Sequence, residues 1–332
     1  MPSPTLVIYN PIAGRGRVRA TWPLVEHALH DAGISFDAVA TEGPRHATAL
    51  AEAAAGSYSC IVSVGGDGTA HEIVNGLLRA SEVGAGLAAS SESSDPAEMT
   101  CPISLGIIPL GNGDDFAKML PPETPIGGHP FDWRAAVQKI ARGQTQLYDV
   151  VRMVGQPAPP ETGEGPHYFV NVMDIGFGAA ASLNFRRVPK FFKGMAAYLA
   201  AVVMTLVAYP RLRLRLQMDD SLPFDQGTTM AAIANGRCFG NGFWICPDAR
   251  ADDGLLDVMV VDAVGRLTIL QLLPKVMKGT HLGAPVIHAH RGRRVVIDAA
   301  APFVVEADGE LPYVAARHLE VEVLPRRLRM VV

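Results

Sequence analysis

The chain has 332 residues, 48% of them hydrophobic and 19% charged, with a formal net charge of −4. This composition is that of a folded protein with a large core, and it excludes disordered, collagen-like and coiled-coil chains. Residues 1–185 carry 10 basic and 19 acidic side chains, whereas residues 186–332 carry 19 and 14. Because binding to nucleic acid requires a concentrated basic face, this balance argues against a nucleic acid as partner.

The first 120 residues alternate between short apolar runs and segments with helical periodicity. Residues 6–9, 35–40, 60–64 and 104–108 are the apolar runs, which we predict to be strands. A polar or glycine-rich turn follows each run, and apolar residues then recur with helical spacing. Strands alternating with helices predict an α/β domain whose parallel sheet is covered on both faces.

From about residue 146 the pattern changes to short alternating or apolar runs separated by Pro, Gly and Asp turns. These runs predict an antiparallel β-sandwich. One helical stretch, residues 187–209, interrupts them, and its strongly apolar part, residues 195–208, falls short of the roughly 20 residues of a transmembrane helix. We therefore predict two domains, residues 1–145 and 146–322, with the tail 323–332 returning to the first.

The most informative segment follows the third predicted strand and reads Gly65-Gly-Asp-Gly-Thr69. Backbone N–H groups in a glycine turn approach an anion closely because no Cβ obstructs them, and a helix N-terminus favours negative charge. Thr69 and Glu72 have the spacing of a capping box, which predicts that a helix begins there. Asp67 would repel phosphate unless it binds Mg²⁺ or accepts a hydroxyl proton, so the segment predicts a phosphoryl-transfer site. A tight Asp-Gly turn is the alternative.

Three more polar turns, residues 10–17, 41–43 and 109–116, follow the other predicted strands. Open parallel sheets bind ligands at the carboxyl ends of their strands, so we expect the four turns to meet there. Established nucleotide fingerprints are absent. No GxxxxGK[ST] motif occurs, and the GFGAAA string at residues 176–181 lacks an acidic residue downstream, so we interpret it as close packing.

Five motifs, taken in order, resemble the diacylglycerol kinase catalytic-domain family, which includes soluble bacterial diacylglycerol kinases and sphingosine kinase-like lipid kinases. They are NPxAG at residues 10–14, GGDGT at 65–69, PLGxxxDFA at 109–117, PDARADDGLLDV at 247–258 and DGE at 308–310. The resemblance implies an NAD-kinase-like α/β nucleotide-binding domain, followed by a β-sandwich domain that binds lipid. It also implies an ATP- and Mg²⁺-dependent lipid kinase, with diacylglycerol as the first candidate acceptor.

Position by position, the resemblance implies three sets of site residues. The catalytic residues are Asp67, Asp308 and Glu310, and Glu310 would hold Mg²⁺ or orient the acceptor hydroxyl. The residues that line ATP are Asn10, Thr41, Gly65, Gly66, Gly68, Thr69, Gly111 and Asn112. The metal ligands are Asp115 near the nucleotide, and Asp253 with Arg250 and Leu255 at a structural Mg²⁺ site. From the residues alone, plain turns also explain the DGE and Asp-Asp-Gly segments.

The stretch from Gly111 to Asp115 departs from the family's usual Gly-Thr-x-Asn-Asp. Asn112 replaces a hydroxyl with an amide, and Asp114 replaces an amide with a carboxylate, which adds negative charge near the triphosphate. The departure keeps open a catalytically weak, regulatory relative that binds lipid. An NAD kinase is a further alternative, although the apolar stretch 195–208 and the lack of an Asn-Glu pair after the GGDGT helix disfavour it.

Basic residues flank the apolar helical stretch at its start: Arg186, Arg187, Lys190 and Lys193. Such a helix would line an acyl-chain cleft and rest on an anionic membrane surface, and a buried core helix is the alternative. Four cysteines without a CxxC pair or a disulfide framework favour a reducing cytoplasm. We therefore expect a cytoplasmic protein, peripheral at the inner membrane surface, and the sequence is compatible with a homodimer.

Overall fold

The structure is a computed structural model, and it describes residues 4–88, 100–121, 125–126, 128–157, 165–189, 195–207, 211–240 and 242–332. The chain divides into two compact units. The first comprises Met1–Val150, Ala251–Gly254 and Leu324–Val332, and the second comprises Val151–Arg250 and Leu255–Val323. For comparison, the sequence places the domain boundary at residues 145–146 and the return of the tail at residue 323.

The first unit is built on a parallel sheet with the order β2-β1-β3-β4. Its strands are β1 (Thr5–Tyr9), β2 (Phe36–Ala40), β3 (Cys60–Gly65) and β4 (Ser104–Pro109). Its helices are α1 (Ala13–Asp31), α2 (His46–Ala53), α3 (Asp67–Ala88) and α4 (Trp133–Arg142). The end of the last strand, β13 (Glu310–Val331), pairs in parallel with β4. The predicted α/β class is therefore confirmed.

Apolar residues on the strands explain why this sheet is covered by helices. The inner strands are buried along almost their whole length. One core cluster joins them to α1 and α4 and includes Val7, Val18, Val25, Leu29, Val62, Ile108, Val137 and Ile140. The ends of α4 follow the usual capping rules: Asp132 accepts a hydrogen bond from Ala135 N (2.9 Å), and Gly143 ends the helix with φ 64°.

The second unit is built mainly on antiparallel strands with the order β11-β10-β9-β7-β12-β13, and β8 pairs with β9 and β12. Its strands are β6 (His167–Phe169), β7 (Val172–Gly176), β8 (Leu212–Met218), β9 (Phe224–Ala234), β10 (Leu256–Asp262), β11 (Ile287–Gly292) and β12 (Arg294–Ala307). It also holds the end of β5 (Thr145–Gln156) and the helices α5 (Phe177–Phe185), α6 (Met195–Val207) and α7 (Arg266–Met277). The predicted antiparallel β class is confirmed.

Helix α6 buries one side of its C-terminal part and exposes the other. Ala201, Val202, Thr205 and Leu206 are buried, whereas Val203, Met204 and Val207 are exposed. Thr205 accepts a hydrogen bond from Asn184 of α5 (3.0 Å), which fixes the two helices together. The apolar residues of this helix therefore form both a core face and a surface face. Among the described helices, none combines the length and hydropathy needed to cross a bilayer.

Candidate active site

The carboxyl ends of β1, β2, β3 and β4 lie at one edge of the parallel sheet. The strand register aligns their last residues, so the turns that follow them start side by side. Three backbone hydrogen bonds of 2.8–3.0 Å join these turns to neighbouring strands: Asn10 N to Val64 O, Thr41 N to Tyr9 O, and Leu110 N to Gly65 O. The structure thus brings together the four polar turns at the sheet edge where α/β proteins bind ligands.

Three of these turns approach one another closely through backbone at glycine positions. A Cβ on Gly111 would lie 2.4 Å from the Cα of Gly66, and a Cβ on Gly14 would lie 2.2 Å from the carbonyl oxygen of Leu110. Gly14 also has the left-handed φ of 58° that favours glycine. Because any side chain would force the turns apart, glycine is required here. The result is a surface of bare backbone at the end of the sheet.

Asn10 and Thr69 connect the first of these turns to α3. Asn10 Nδ2 donates to Thr69 Oγ1 (3.3 Å), and Asn10 Oδ1 accepts from Ile12 N (3.2 Å). Thr69 N in turn donates to the carbonyl oxygen of Gly66 (3.0 Å). These contacts connect the glycine turn at residues 65–69 to the turn that follows β1. Asn10, Gly66 and Thr69, which the sequence assigns to ATP, are therefore neighbours.

The predicted capping box between Thr69 and Glu72 is wrong. Helix α3 begins at Asp67, and the Glu72 carboxylate accepts hydrogen bonds from Arg45 N (2.8 Å) and Ala47 N (3.1 Å). Glu72 therefore caps α2, whose own N-cap residue makes no side-chain cap. The reason is close helix packing, since a Cβ on Gly76 of α3 would lie 2.3 Å from a backbone oxygen of α2.

Asp67 is the first residue of α3 and is partly exposed. Its Oδ1 accepts a hydrogen bond from Phe116 N (2.9 Å), which fixes the start of α3 to the segment after β4. A carboxylate at a helix N-terminus is stabilised in its ionised form by the helix dipole. Asp67 is thus fixed in position and partly exposed to solvent. Its carboxylate oxygens can bind a hard cation or accept the proton of a hydroxyl group.

Two neighbouring carboxylates after β4 have different partners. Asp115 Oδ1 lies 2.6 Å from Lys118 Nζ, and both residues are buried, with 6% and 4% exposure. Asp114 accepts a hydrogen bond from Gly111 N (2.8 Å). Burial raises the pKa of Asp114 to about 6, although the Gly111 N–H and the nearby Arg17 oppose the rise. Asp114 therefore supports the glycine turn, and Asn112 beside it is exposed.

The DGE segment in the second unit is a hairpin turn between β12 and β13. Asp308 and Gly309 have left-handed φ values of 50° and 89°, and Ala307 pairs with Glu310. The Asp308 carboxylate accepts from two neighbouring backbone donors, Val170 N and Asn171 N, at 3.0 Å. The sequence predicts that Asp308 and Glu310 are both catalytic. The hydrogen bonds of Asp308 to backbone N–H groups suit a residue that holds the turn in place.

Glu310 carries the more accessible carboxylate of that turn. Its side chain is half exposed and lies 3.5 Å from Arg186 at the end of α5. The structure thus groups Asp308 and Glu310 in the second unit, and Asp67 with the glycine turns in the first. That Asp67 and Glu310 act at one centre stays a prediction.

The proposed structural Mg²⁺ site surrounds residues 250–255. In the first unit, Asp149 accepts from Gly254 N (2.7 Å) and Arg326 N (2.8 Å). Burial raises the pKa of Asp149, and the charges of Asp253 and Asp252 raise it further, so negative charge accumulates here, as a hard cation would favour. Across the described parts of the chain, however, no three or more His, Cys, Asp or Glu side chains form a metal-binding group. The ligand set of Asp253, Arg250 and Leu255 stays a prediction.

Sequence reasoning missed three residues that the structure places beside the predicted ones, Lys118, Asp174 and Glu306, and it assigned Arg186 to a membrane surface and not to Glu310. Lys118 follows Asp115 at a spacing of three residues, which is a detectable helical signal. The others become neighbours only through strand and helix packing, so no local pattern could have identified them.

Comparisons with known proteins agree with this two-part architecture. The diacylglycerol kinase catalytic domain matches residues 4–153, and the YegS C-terminal NAD kinase beta sandwich-like domain matches residues 171–332. A structure described as a putative diacylglycerol kinase from Bacillus anthracis has the same fold, with a TM-score of 0.71 at 20% identity over 99% of this chain and 96% of that one. The two family models and the shared fold thus define a chain with a diacylglycerol kinase catalytic domain followed by a β-sandwich-like domain.

Relatives of known name define the family. A probable YegS-like lipid kinase of Xanthomonas campestris is 31% identical over 85% of this chain and 81% of its own length. A diacylglycerol kinase of Bacillus subtilis is 26% identical over 92% of this chain and 88% of its own length. The chain belongs to the family of diacylglycerol kinase and YegS-like lipid kinases, which confirms the resemblance stated from its motifs.

Proposed function

We propose that this protein transfers the γ-phosphoryl group of ATP to a lipid hydroxyl, with diacylglycerol as acceptor and phosphatidic acid as product. One observation carries the proposal: the bare backbone contact between Gly66 and Gly111 lies beside the carboxylate of Asp67 at the start of α3. Phosphoryl transfer depends on positioning and charge compensation more than on covalent chemistry. The names of the relatives support a lipid as the acceptor.

In this proposal the triphosphate lies on the glycine turns. Backbone N–H groups at the start of α3 would donate to phosphate oxygens, and the helix dipole would favour their charge. The hydrogen bond between Asn10 and Thr69 holds the two sides of this surface together. The full set assigned to ATP is Asn10, Thr41, Gly65, Gly66, Gly68, Thr69, Gly111 and Asn112.

Asp67 is the proposed catalytic carboxylate, and Glu310 would complete the centre. Either would hold Mg²⁺ or take the proton of the acceptor hydroxyl, and their oxygen atoms fit a hard cation. When bound, Mg²⁺ would supply charge compensation for the phosphates. Asp115 is already compensated by Lys118 in a buried pair, so its role near the metal would be indirect. Asp308, whose carboxylate binds backbone N–H groups, would position the turn.

The acceptor would reach the enzyme from a membrane surface. The exposed face of α6, with Val203 at 58% and Val207 at 71% exposure, is apolar. In a membrane this face would lie at the boundary between the lipid headgroups and the acyl chains. The basic residues Lys190 and Lys193, which precede α6, lie outside the described residues. We assign the protein to the cytoplasm, peripheral at the inner membrane surface, and a homodimer stays compatible with the sequence.

The arginines of β8 offer weaker support for contact with lipid head groups. Arg213 and Arg215 are exposed on one face of that strand. The register places Arg215 directly between Asp225 of β9 and Asp298 of β12. Acidic neighbours on both sides reduce the local positive charge, which favours a solvated sheet face.

A second candidate function is a regulatory, catalytically weak relative that binds lipid. Asp114 favours it, because a partly buried carboxylate beside the glycine turn would oppose a triphosphate. The hydrogen bond of Asp114 to Gly111 N favours the kinase, since it shapes the turn that the phosphates would occupy.

The test is transfer of labelled γ-phosphate from Mg-ATP to a set of acceptors, with products identified by mass. The set holds detergent-dispersed diacylglycerol, monoacylglycerol, sphingosine, ceramide and phosphatidylglycerol, together with soluble NAD. We expect label in diacylglycerol. Label in another lipid would keep the kinase and change its acceptor, label in NAD alone would overturn the lipid acceptor, and lipid binding without transfer would support the regulatory candidate.

The same assay tests the catalytic assignment through Asp67→Asn. This change removes the charge without altering volume and keeps an oxygen for the Phe116 N–H, so folding should be retained. We expect turnover to fall by about 10²–10⁴-fold. Asp31→Asn, on the exposed end of α1, is the matched control and should retain full activity. Normal turnover in Asp67→Asn would remove Asp67 from the catalytic centre.

A further inference from the structure

Two carboxyl groups are paired in the interior of the second unit. The antiparallel register of β7 and β12 places Asp174 opposite Glu306. Their exposures are 0% and 1%, and among the described residues neither forms an ion pair with a basic side chain. Two ionised carboxylates without a cation are strongly unfavourable in such an environment. The pair therefore needs another source of compensation.

The hydrogen bonds of the pair show which oxygen atoms are in use. Asp174 Oδ2 accepts from Ala179 N (2.8 Å) at the start of α5, and Glu306 Oε1 accepts from Gly309 N. The other two oxygens, Asp174 Oδ1 and Glu306 Oε2, are buried and have no hydrogen-bond partner among the described residues. Two acceptors cannot bond to each other unless a proton lies between them. A proton shared between the two carboxyl groups would satisfy both atoms.

Local packing keeps Asp174 in this place. A Cβ on Gly178 would lie 2.4 Å from Asp174 Oδ2, so the carboxylate occupies the space that a side chain would need. A Cβ on Gly176, whose φ is 106°, would lie 2.4 Å from a backbone oxygen of β9. The GFGAAA string that the sequence marks as close packing is thus what brings the Asp174 carboxylate onto the N-terminus of α5.

The charges around the pair indicate where the proton resides. Burial raises the pKa of Asp174 to about 7, and it raises the pKa of Glu306 well above its usual value. The Asp174 carboxylate and, to a lesser extent, Asp308 raise the pKa of Glu306 further. The first turn of α5 carries no ionisable side chain, and β9 presents Ala232 beside Asp174. Because Asp174 accepts from Ala179 N at the start of α5, the helix dipole favours the ionised form of Asp174, which leaves the proton with Glu306.

Glu306 also fixes the turn that carries Glu310. Its Oε1 binds the N–H of Gly309, the residue between Asp308 and Glu310. Gly309 has a left-handed φ of 89°, so its N–H direction is set by a tight hairpin. Loss of the shared proton would make the two carboxylates repel each other, and the Glu306 side chain would then leave Gly309.

We propose that Asp174 and Glu306 share a single proton, and that this acid pair positions Glu310 through the bond from Glu306 to Gly309. The inference rests on the proposed function for the role of Glu310, whereas the shared proton is a property of the fold alone. Asp174 and Glu306 are positioning residues, because they act through the hairpin turn and not on the substrate.

The first experiment tests the proton, using the full chain and the Glu306→Gln variant. Glutamine keeps the acceptor for Gly309 N–H and donates an N–H toward Asp174 without a titrating proton. At about pH 7 we expect the infrared absorption of a protonated carboxyl group in the wild type and its loss in the variant. Glu322→Gln, an exposed position on β13, is the matched control and should retain the absorption. If the wild type lacks this infrared absorption, the inference is overturned.

Thermal unfolding gives a second readout of the same proton. The wild type keeps in the folded state a proton that the unfolded chain releases, so its stability falls as pH rises above the ordinary carboxyl pKa. As pH increases from about 5 to 8, we expect the midpoint temperature of unfolding of Glu306→Gln to rise by several degrees relative to that of the wild type. A constant difference across this range would contradict the shared proton.

The last experiment tests positioning with the phosphoryl-transfer assay. We expect Glu306→Gln to retain kcat within about twofold, and Glu306→Ala to lower kcat with little change in KM for ATP. Gly178→Ala, which displaces the Asp174 carboxylate, should lower kcat in the same way if Glu306→Ala does not fold. Equal loss in the Gln and Ala variants would overturn the positioning role. A wild type that phosphorylates no acceptor would refute the proposed function, and the infrared and unfolding data would still decide the shared proton.

Discussion

Two buried acidic sites, one in each unit, solve the same electrostatic problem in different ways. In the first unit, Asp115 is paired with Lys118 at 2.6 Å, so a cation compensates the carboxylate. In the second, Asp174 faces Glu306 with no basic partner among the described residues, and a proton is the proposed compensation. Replacing Lys118 by a neutral residue should therefore destabilise the protein strongly, whereas Glu306→Gln should have a mild effect on stability.

The largest expected effect comes from Lys118→Met. Methionine has a similar length but leaves the Asp115 carboxylate buried without its cation, so we expect a loss of about 3–5 kcal/mol in the free energy of unfolding. Urea denaturation measures this loss.

The double variant Asp115→Leu/Lys118→Met is the control for Lys118→Met. It removes both charges and should recover most of the stability, because a buried ion pair can often be replaced by apolar residues. If the single and double variants are equally unstable, packing and not charge explains the role of Lys118. The contrast with Glu306→Gln would then disappear.

A smaller effect is expected at Asp114, a third acid that forms no ion pair among the described residues and accepts a hydrogen bond from Gly111 N. Asp114→Asn keeps an oxygen acceptor for Gly111 N and removes a negative charge from the proposed phosphate surface. We expect KM for ATP to fall by about two- to fivefold with kcat nearly unchanged. Steady-state kinetics with Mg-ATP measures it, and an unchanged KM would place Asp114 away from the triphosphate.

The smallest effect is expected at an exposed charge network on the second unit. His318 Nδ1 lies 2.8 Å from Asp298, and this hydrogen bond raises the pKa of His318 although burial opposes the rise. A raised histidine pKa means that the stabilisation is complete below about pH 6.5 and disappears as pH rises through the folded-state value. His318→Gln should therefore cost at most about 1 kcal/mol at acidic pH and nothing at alkaline pH.

Urea unfolding at several pH values checks the His318 prediction. His27→Gln, on the exposed surface of α1, controls for the loss of a surface imidazole. An equal cost for His318→Gln at all pH values would show that packing, and not charge, accounts for its contribution.

Much of the first unit follows from local sequence. Apolar runs with helical segments between them predict the four parallel strands, and the polar turns after them predict the ligand-binding edge. The position of Glu72 does not follow, because its partners are backbone groups of another helix, 25 and 27 residues away. Helix α6 is similar: its composition predicts an apolar helix, but packing decides that Thr205 is buried and Val207 exposed.

The sequence by itself determined the fold class, the family and the residues that turn the chain, because these depend on periodicity, on glycine geometry and on motifs a few residues long. Tertiary structure decided which groups are partners: Gly66 with Gly111, Arg186 with Glu310, and Asp174 with Glu306. Such pairs join residues far apart in the chain, and burial then changes their chemistry. A buried carboxyl group acquires its cation or its proton from neighbours that only the folded chain supplies.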